Sequence, residues 1–198
     1  MLKIGITGGI GTGKTTACKL FEQYNIPVYY ADDRAKWLMN NDETLRARLI
    51  EHFGKEVFDD NQQLNRAYLG NIIFQDERQL EVINKLVHPA VKLDSEAWQL
   101  EQAKKNVPYT LKEAALLFES GSYQYLDKII VVTAPQQLRI ERVMKRDNCT
   151  QEQVLARMSK QLPQEQKEVR ADFLLHNIEL PQLKEQIALL HQTLCKGI

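Results

Sequence analysis

The sequence predicts an α/β fold, a five-stranded parallel sheet flanked by helices, and three observations predict it. Short apolar runs rich in β-branched residues alternate with segments of helical period along the whole chain. The first apolar run passes directly into a glycine-rich loop and then into a helix. The stretches between strand-like runs are long enough for the crossovers that parallel strands need, about a dozen residues each.

Taken in order, Leu2–Thr7 reads as the first strand, and 15–24 as a helix with Ala17, Leu20, Phe21 and Tyr24 at helical spacing. Residues 27–30 make a short second strand. The segment 110–118 contains a third, ending in the run Ala114-Ala115-Leu116-Leu117-Phe118. Lys128–Thr133 is the clearest buried strand, apolar and β-branched after its first residue. A fifth strand spans 173–177, followed by a terminal helix with Leu183, Ile187, Leu190 and Leu194 on one face.

The chain reads as one domain, 1–198, whose core is 1–41, 106–134 and 170–198. Between them lies a helical insert, 42–105, with Leu45, Leu49, Ile50 and Phe53, then Leu69, Ile72 and Ile73, then Leu80, Ile83, Leu86 and Val87 at helical spacing. It is longer than a crossover requires and is expected to hold a substrate. A second insert, 135–169, is expected to form a lid.

Composition narrows the function. With 26 basic and 26 acidic side chains in 198 residues the net charge is zero, so the basic footprint of a general nucleic-acid binder is missing. Cys18, Cys149 and Cys195 are odd in number and far apart, which predicts free thiols in a reducing compartment. Neither a zinc site nor a leader is expected, and no membrane-length apolar run is present. A cytoplasmic protein without membrane or nucleic-acid partners is expected, a monomer or weak oligomer.

Gly8-Gly9-Ile10-Gly11-Thr12-Gly13-Lys14-Thr15 fits a Gly, four free positions and Gly-Lys-Ser/Thr. Such a loop wraps its backbone N–H groups around a polyphosphate at the start of a helix, where the helix dipole favours negative charge. Lys14 is expected to reach the β- and γ-phosphates, and the Thr15 hydroxyl to ligate Mg²⁺. The reading is therefore a nucleoside triphosphate site.

The destination of the γ-phosphoryl is narrowed by what is missing. Asn84-Lys85 continues into Leu86-Val87, and no Asp is followed three positions later by Gly, so GTPase base-recognition and switch motifs are absent. A small phosphotransferase remains, and it needs a group beside the loop to accept the acceptor's hydroxyl proton. Asp32, with Asp33, directly follows the second strand; it suits that role and also that of a cap for a helix beginning near Arg34. Glu119 ends an apolar run and suits a magnesium-bound water, the acceptor, or a cap on Ser120-Gly121. His88-Pro89 in the insert reads either as a structural pair, with Pro in a first helical turn, or as part of the acceptor site. Arg139, Arg142 and Arg146 share one helical face, either as phosphoryl ligands of the lid or as a solvated face balanced by Glu141 and Asp147.

The ordered set of segments resembles the dephospho-CoA kinase family almost end to end. It comprises I-G-I-T-G-G-I-G-T-G-K-T-T at 4–16, Ala31-Asp32, Leu64-Asn65-Arg66, His88-Pro89 and Leu116-Leu117-Phe118-Glu119. Further on come the segments 142–147 and 157–161, and Ala171-Asp172 before Asn177. The resemblance implies a P-loop, nucleoside-kinase-like fold and ATP-dependent phosphorylation of the ribose 3′-hydroxyl of dephospho-CoA, with Mg²⁺. By the same resemblance Gly11, Thr12, Gly13, Lys14, Thr15 and Thr16 hold the ATP phosphates and Asp32 is the base. Arg142 and Arg146, with Arg139 beside them, are the lid's phosphate ligands, and Asn177 lies on the nucleotide side. Arg66, His88, Leu117, Phe118 and Glu119 wall the acceptor. Three positions depart from the family's common pattern: Tyr30 stands where D-A-D has its first Asp, Ala115 replaces a Pro, and Asn177-Ile178-Glu179 replaces N-x-G. The readings left beside this one are a kinase of another small hydroxyl or nucleotide acceptor and a non-catalytic nucleotide sensor.

Overall fold

The computed structural model describes residues 1–196, so the last two positions of the carboxyl-terminal core segment lie outside it. Five strands, β1 (Leu2–Thr7), β2 (Val28–Tyr30), β3 (Tyr109–Glu113), β4 (Lys128–Thr133) and β5 (Phe173–His176), form one sheet in the order β2-β3-β1-β4-β5. Every pairing is parallel, and Ile6 stands opposite both Glu113 of β3 and Ile130 of β4. The helices are α1 (Lys14–Glu22), α2 (Ala31–Asn41), α3 (Glu43–Phe53), α4 (Arg66–Gln75) and α5 (Glu77–Ala103), then α6 (Gln136–Asp147), α7 (Gln151–Met158), α8 (Gln164–Glu168) and α9 (Leu180–Cys195).

Cα packing divides the chain into two compact units: Met1–Tyr30 with the chain from Gln99 onward, and Ala31–Trp98. In the sheet unit, Ile4 and Ile6 of β1 with Ile130 and Val132 of β4 face Ala17, Cys18 and Phe21 of α1 and Leu183, Ile187 and Leu194 of α9. These side chains are buried almost without exception, as central parallel strands demand. On the other face Leu117 packs beneath Gly5. A smaller cluster joins Ile140 and Val143 of α6 to Val154 of α7, and Ile10 of the glycine loop packs against it.

The helical unit has its own core, including Leu38, Leu45, Leu49, Phe53, Leu69, Ile83 and Val87. Its helix starts are set by side-chain caps: Asp42 accepts from the Leu45 N–H at 2.7 Å and Asn65 from the Tyr68 N–H at 3.1 Å. Arg34 grips Asp94 with two bonds, 2.9 and 2.5 Å.

Three expectations need correction. The run Ala114-Ala115-Leu116-Leu117-Phe118 is not strand: β3 stops at Glu113, and the chain turns through bonds from the Ser120 N–H to Leu116 O and from the Gly121 N–H to Phe118 O. Its apolarity serves burial of Leu117 and Phe118 rather than sheet pairing. Pro89 lies inside α5, not in a first turn. Helix α2 starts at Ala31, directly after β2, so Asp32 lies within its first turn instead of capping a later helix.

Candidate active site

The glycine loop leaves β1 at Thr7 and closes on α1 at Lys14. Gly13 has φ +86° and ψ 32°, a left-handed conformation that a side chain disfavours, and a Cβ there would run into the Asn177 amide. This residue turns the chain so that the first N–H groups of α1, which have no acceptor inside the helix, open onto the loop. Gly9 is needed for a different reason: the Arg139 guanidinium fills the space a Cβ would take. Within the loop, the Thr12 hydroxyl donates to Gly9 O at 2.9 Å and Lys14 Nζ to Gly8 O at 3.0 Å. Thr15 and Thr16 are exposed at the start of α1.

The three arginines of α6 do different things. Arg139 is buried and its Nε donates to Ile10 O at 3.0 Å. Arg142 is half-buried and donates to Asn177 O at 2.9 Å and Ile178 O at 3.2 Å. Arg146 is exposed and forms a two-bond pair with Asp147, 2.7 and 2.9 Å, which Arg157 joins at 2.7 Å. Hydrogen bonds from Arg146 and then Arg157 hold the Asp147 carboxyl down to about 2. Only Arg146 of the three is exposed toward solvent. Asn177, expected on the nucleotide side, is buried, and its amide donates to Thr12 O at 2.8 Å. It shapes the loop.

Leu117 is wholly buried and Phe118 nearly so, the latter against Tyr123 at 5.5 Å and under Arg170 at 5.6 Å. These two side chains pack into the core, where an open acceptor wall was expected of them. Glu119 pairs with the fully buried Lys167 at 2.8 Å and accepts from the Leu162 N–H at 2.9 Å. Lys167 also donates to Ala115 O at 3.1 Å. Burial opposes the Glu119 charge, but the bonds from Lys167 and Leu162 prevail and hold its carboxyl below the usual carboxylate range. Glu119 thus anchors the chain between α7 and β5.

That anchor has a pH signature. Because the folded carboxyl is depressed, its stabilisation is complete above the unfolded value of about 4.3 and is lost as pH falls through the folded value. Glu119→Gln is therefore expected to lower Tm by about 5 °C at pH 7, since it removes one partner of a buried ion pair. The gap to wild type should close as pH falls through the depressed folded value, where the Glu119 carboxyl is protonated and as uncharged as the glutamine that replaces it. Thermal melts across pH check it; a constant gap would remove the ion pair as the cause.

One carboxylate was hidden by the overlong third strand. Glu113 ends β3, beside β1, and is buried, where the expected strand end would have put Glu119. Both Glu113 and Lys14 act electrostatically on Cys18, whose thiol burial pushes far up. Tyr30 donates to Glu22 Oε1 at 3.1 Å, and burial raises its phenol, so it stands there as a neutral donor.

In the helical unit, Asp32 is exposed in the first turn of α2, Arg66 is the exposed first residue of α4, and His88 is exposed on α5. The same unit contains a cavity of about 360 Å³, lined by Leu38, Leu45, Leu86 and Ala90 with Arg48 and Asp94 at its polar side. Among the described residues, no three His, Cys, Asp or Glu side chains converge to hold a metal ion. No helix among them is long and apolar enough to cross a membrane.

Comparison with known proteins adds to this geometry. A family model described as dephospho-CoA kinase matches residues 2–182. A dephospho-CoA kinase of Salinibacter ruber is 41% identical over 177 residues, 89% of this chain and 89% of that one. One from Bacteroides fragilis is 36% identical over 195 residues, 96% and 94% of the two chains. Among solved structures, TT1252 from Thermus thermophilus superposes with a TM-score of 0.82 at 31% identity, covering 100% and 98%. At the level of fold alone, the dephospho-CoA kinase from Campylobacter jejuni has a TM-score of 0.74 at 24% identity, covering 98% of each chain.

Proposed function

We propose roles for individual residues from one premise: the chain belongs to the dephospho-CoA kinase family. It is a kinase that uses ATP to phosphorylate the ribose 3′-hydroxyl of dephospho-CoA, giving coenzyme A. The observation that carries the assignment of the nucleotide site is the loop itself, turned by a left-handed Gly13 onto the first turn of α1.

The N–H groups from Gly11 to Thr16 bind the β- and γ-phosphates, and Lys14 moves from Gly8 O onto the bridging charge. The donor set fits a magnesium ion that arrives on the nucleotide. Thr15 offers an exposed hydroxyl and Glu113 a carboxylate at the neighbouring strand end, a number of protein ligands typical of phosphate-borne Mg²⁺. When bound, the ion neutralises charge on the phosphates. Phosphoryl transfer asks little covalent chemistry of the protein, so catalysis is positional and electrostatic.

Asp32 takes the proton from the 3′-hydroxyl as its oxygen bonds to the γ-phosphorus and the bond to ADP breaks. Arg146 has little to give up in turning to the transferring phosphoryl, because its pair with Asp147 stands at the surface, where solvent screens it. Arg142 follows by exchanging the carbonyls of Asn177 and Ile178 for phosphate oxygens. Arg66 and His88 serve the acceptor from the helical unit.

The test is product analysis with MgATP and dephospho-CoA. Equal amounts of ADP and coenzyme A are expected, with the new phosphate on the 3′ oxygen and with loss of turnover when Mg²⁺ is chelated. The 3′-deoxy acceptor should bind and yield no phosphorylated product. Transfer to any other position would overturn the assignment of Asp32, and turnover without a divalent ion would overturn that of Thr15 and Glu113.

A further inference from the structure

The first half of the phosphate loop is bound by two glutamines that the transfer chemistry itself does not require. Gln161, in the turn after α7, accepts from the Ile10 N–H at 2.9 Å. Gln164, the first residue of α8, accepts from the Gly9 N–H at 2.8 Å. Only the amide oxygen can accept from an N–H, so this bond fixes which way the Gln164 amide points. Its nitrogen then donates to Glu168 Oε1 at 3.1 Å and to Val132 O at 3.4 Å. Glu168 takes the Thr133 hydroxyl at 2.5 Å, and Thr133 is the last residue of β4. Gln164 is 8% exposed, so these bonds stand in a nearly dry setting where an unmatched group is costly.

Ile10 is held from its other side as well, since Arg139 Nε donates to its carbonyl and its side chain packs with Ile140, Val143 and Val154. The geometry points to Gln161 and Gln164 as positioning residues for ATP: they fix the N–H groups of Gly9 and Ile10. In doing so they set the curvature that aims the later N–H groups, from Gly11 onward, at the phosphates. They touch no substrate and act through the backbone. A loop already shaped for its ligand binds it with less ordering cost. The inference rests on the loop being the ATP site, as proposed above.

The experiment is ATP kinetics together with calorimetric ADP binding. Gln161→Met keeps length and removes the acceptor; Gln164→Glu keeps the acceptor for Gly9 and sets a carboxylate against Glu168. Each is expected to weaken ATP and ADP binding about tenfold, with kcat at saturating ATP within about threefold of wild type. KM for dephospho-CoA should not move. Adding Glu168→Gln to Gln164→Glu restores a donor facing the new carboxylate, and most of the lost affinity should return. Failure of that rescue would overturn the wiring through Glu168. Folded variants that lose only thermal stability, with wild-type KM for ATP, would overturn the positioning role. If Gln164→Glu does not fold, Gln161→Met, at a half-buried turn position, decides the matter alone. Lys14→Ala separates the two levels of inference. Weak ATP binding there with intact binding in the glutamine variants sinks the clamp, whereas wild-type binding in Lys14→Ala sinks the loop assignment beneath it.

Discussion

Lys14→Ala is expected to lower kcat/KM for ATP by about three orders of magnitude, at the upper end of the loss seen when one charge-stabilising donor is removed. The ammonium sits 3.0 Å from Gly8 O, over the loop whose N–H groups it complements. The loop's shape is held by other contacts as well. Gly13 has its own left-handed geometry, Asn177 fixes Thr12 O, and Gln161 and Gln164 fix Ile10 and Gly9. The variant should therefore fold with a near-normal Tm and still bind ADP, more weakly, through backbone donors. The larger loss falls on kcat, because negative charge on the transferring phosphoryl and the departing ADP has lost its closest mobile cation. Steady-state kinetics with ADP titration separates the two effects. A kcat/KM within tenfold of wild type would remove Lys14 from the transition state.

What could be read from the sequence was what is local. The strand Leu2–Thr7, the glycine loop and α1 are contiguous, and the pattern of glycines, Lys14 and Thr15 encodes a conformation that needs no distant partner. Strands β4 and β5 and the buried face of α9 were legible because period and apolarity agree in them. The end of β3 was not. Apolarity runs on through Phe118, and nothing in the run itself says that Leu117 turns under Gly5 instead of extending the sheet. That one misplaced boundary put Glu119, which pairs with Lys167, at the strand end where Glu113 stands opposite Ile6 of β1.

Side-chain roles set by contacts across the chain were hidden in the same way. Arg139, Arg142 and Arg146 share a helical face by spacing, yet the inward one props Ile10, the next, half-buried, bonds two carbonyls, and the last is exposed. Asn177 lies 165 positions from the Thr12 carbonyl it supports. Gln161 and Gln164 are 151 and 155 positions from the loop they hold, and glutamine has no spacing signature to announce such work. Local pattern gave the phosphate site; only tertiary packing gives the shell that shapes it.

Asp32→Asn is expected to lower kcat by at least about a hundredfold, the lower bound of what a positioned general base contributes. The substitution keeps size and hydrogen-bonding reach and removes the capacity to accept a proton. It should leave ATP affinity near wild type, since the loop donors belong to a different segment. Neighbouring acids offer no substitute. The residue two positions earlier, which is commonly Asp in the family, is Tyr30 here, with its phenol kept neutral by burial and bonded to Glu22. Asp33 is bonded to Lys36 at 2.8 Å, on the neighbouring flank of the same helical turn. Asp33→Asn is accordingly the control, and turnover close to wild type is expected of it. On the proposed reading, the whole proton-accepting task in this chain falls on Asp32. Comparable losses in the Asp32→Asn and Asp33→Asn variants would mean that the charge of the first helical turn, not a specific base, is what the reaction uses.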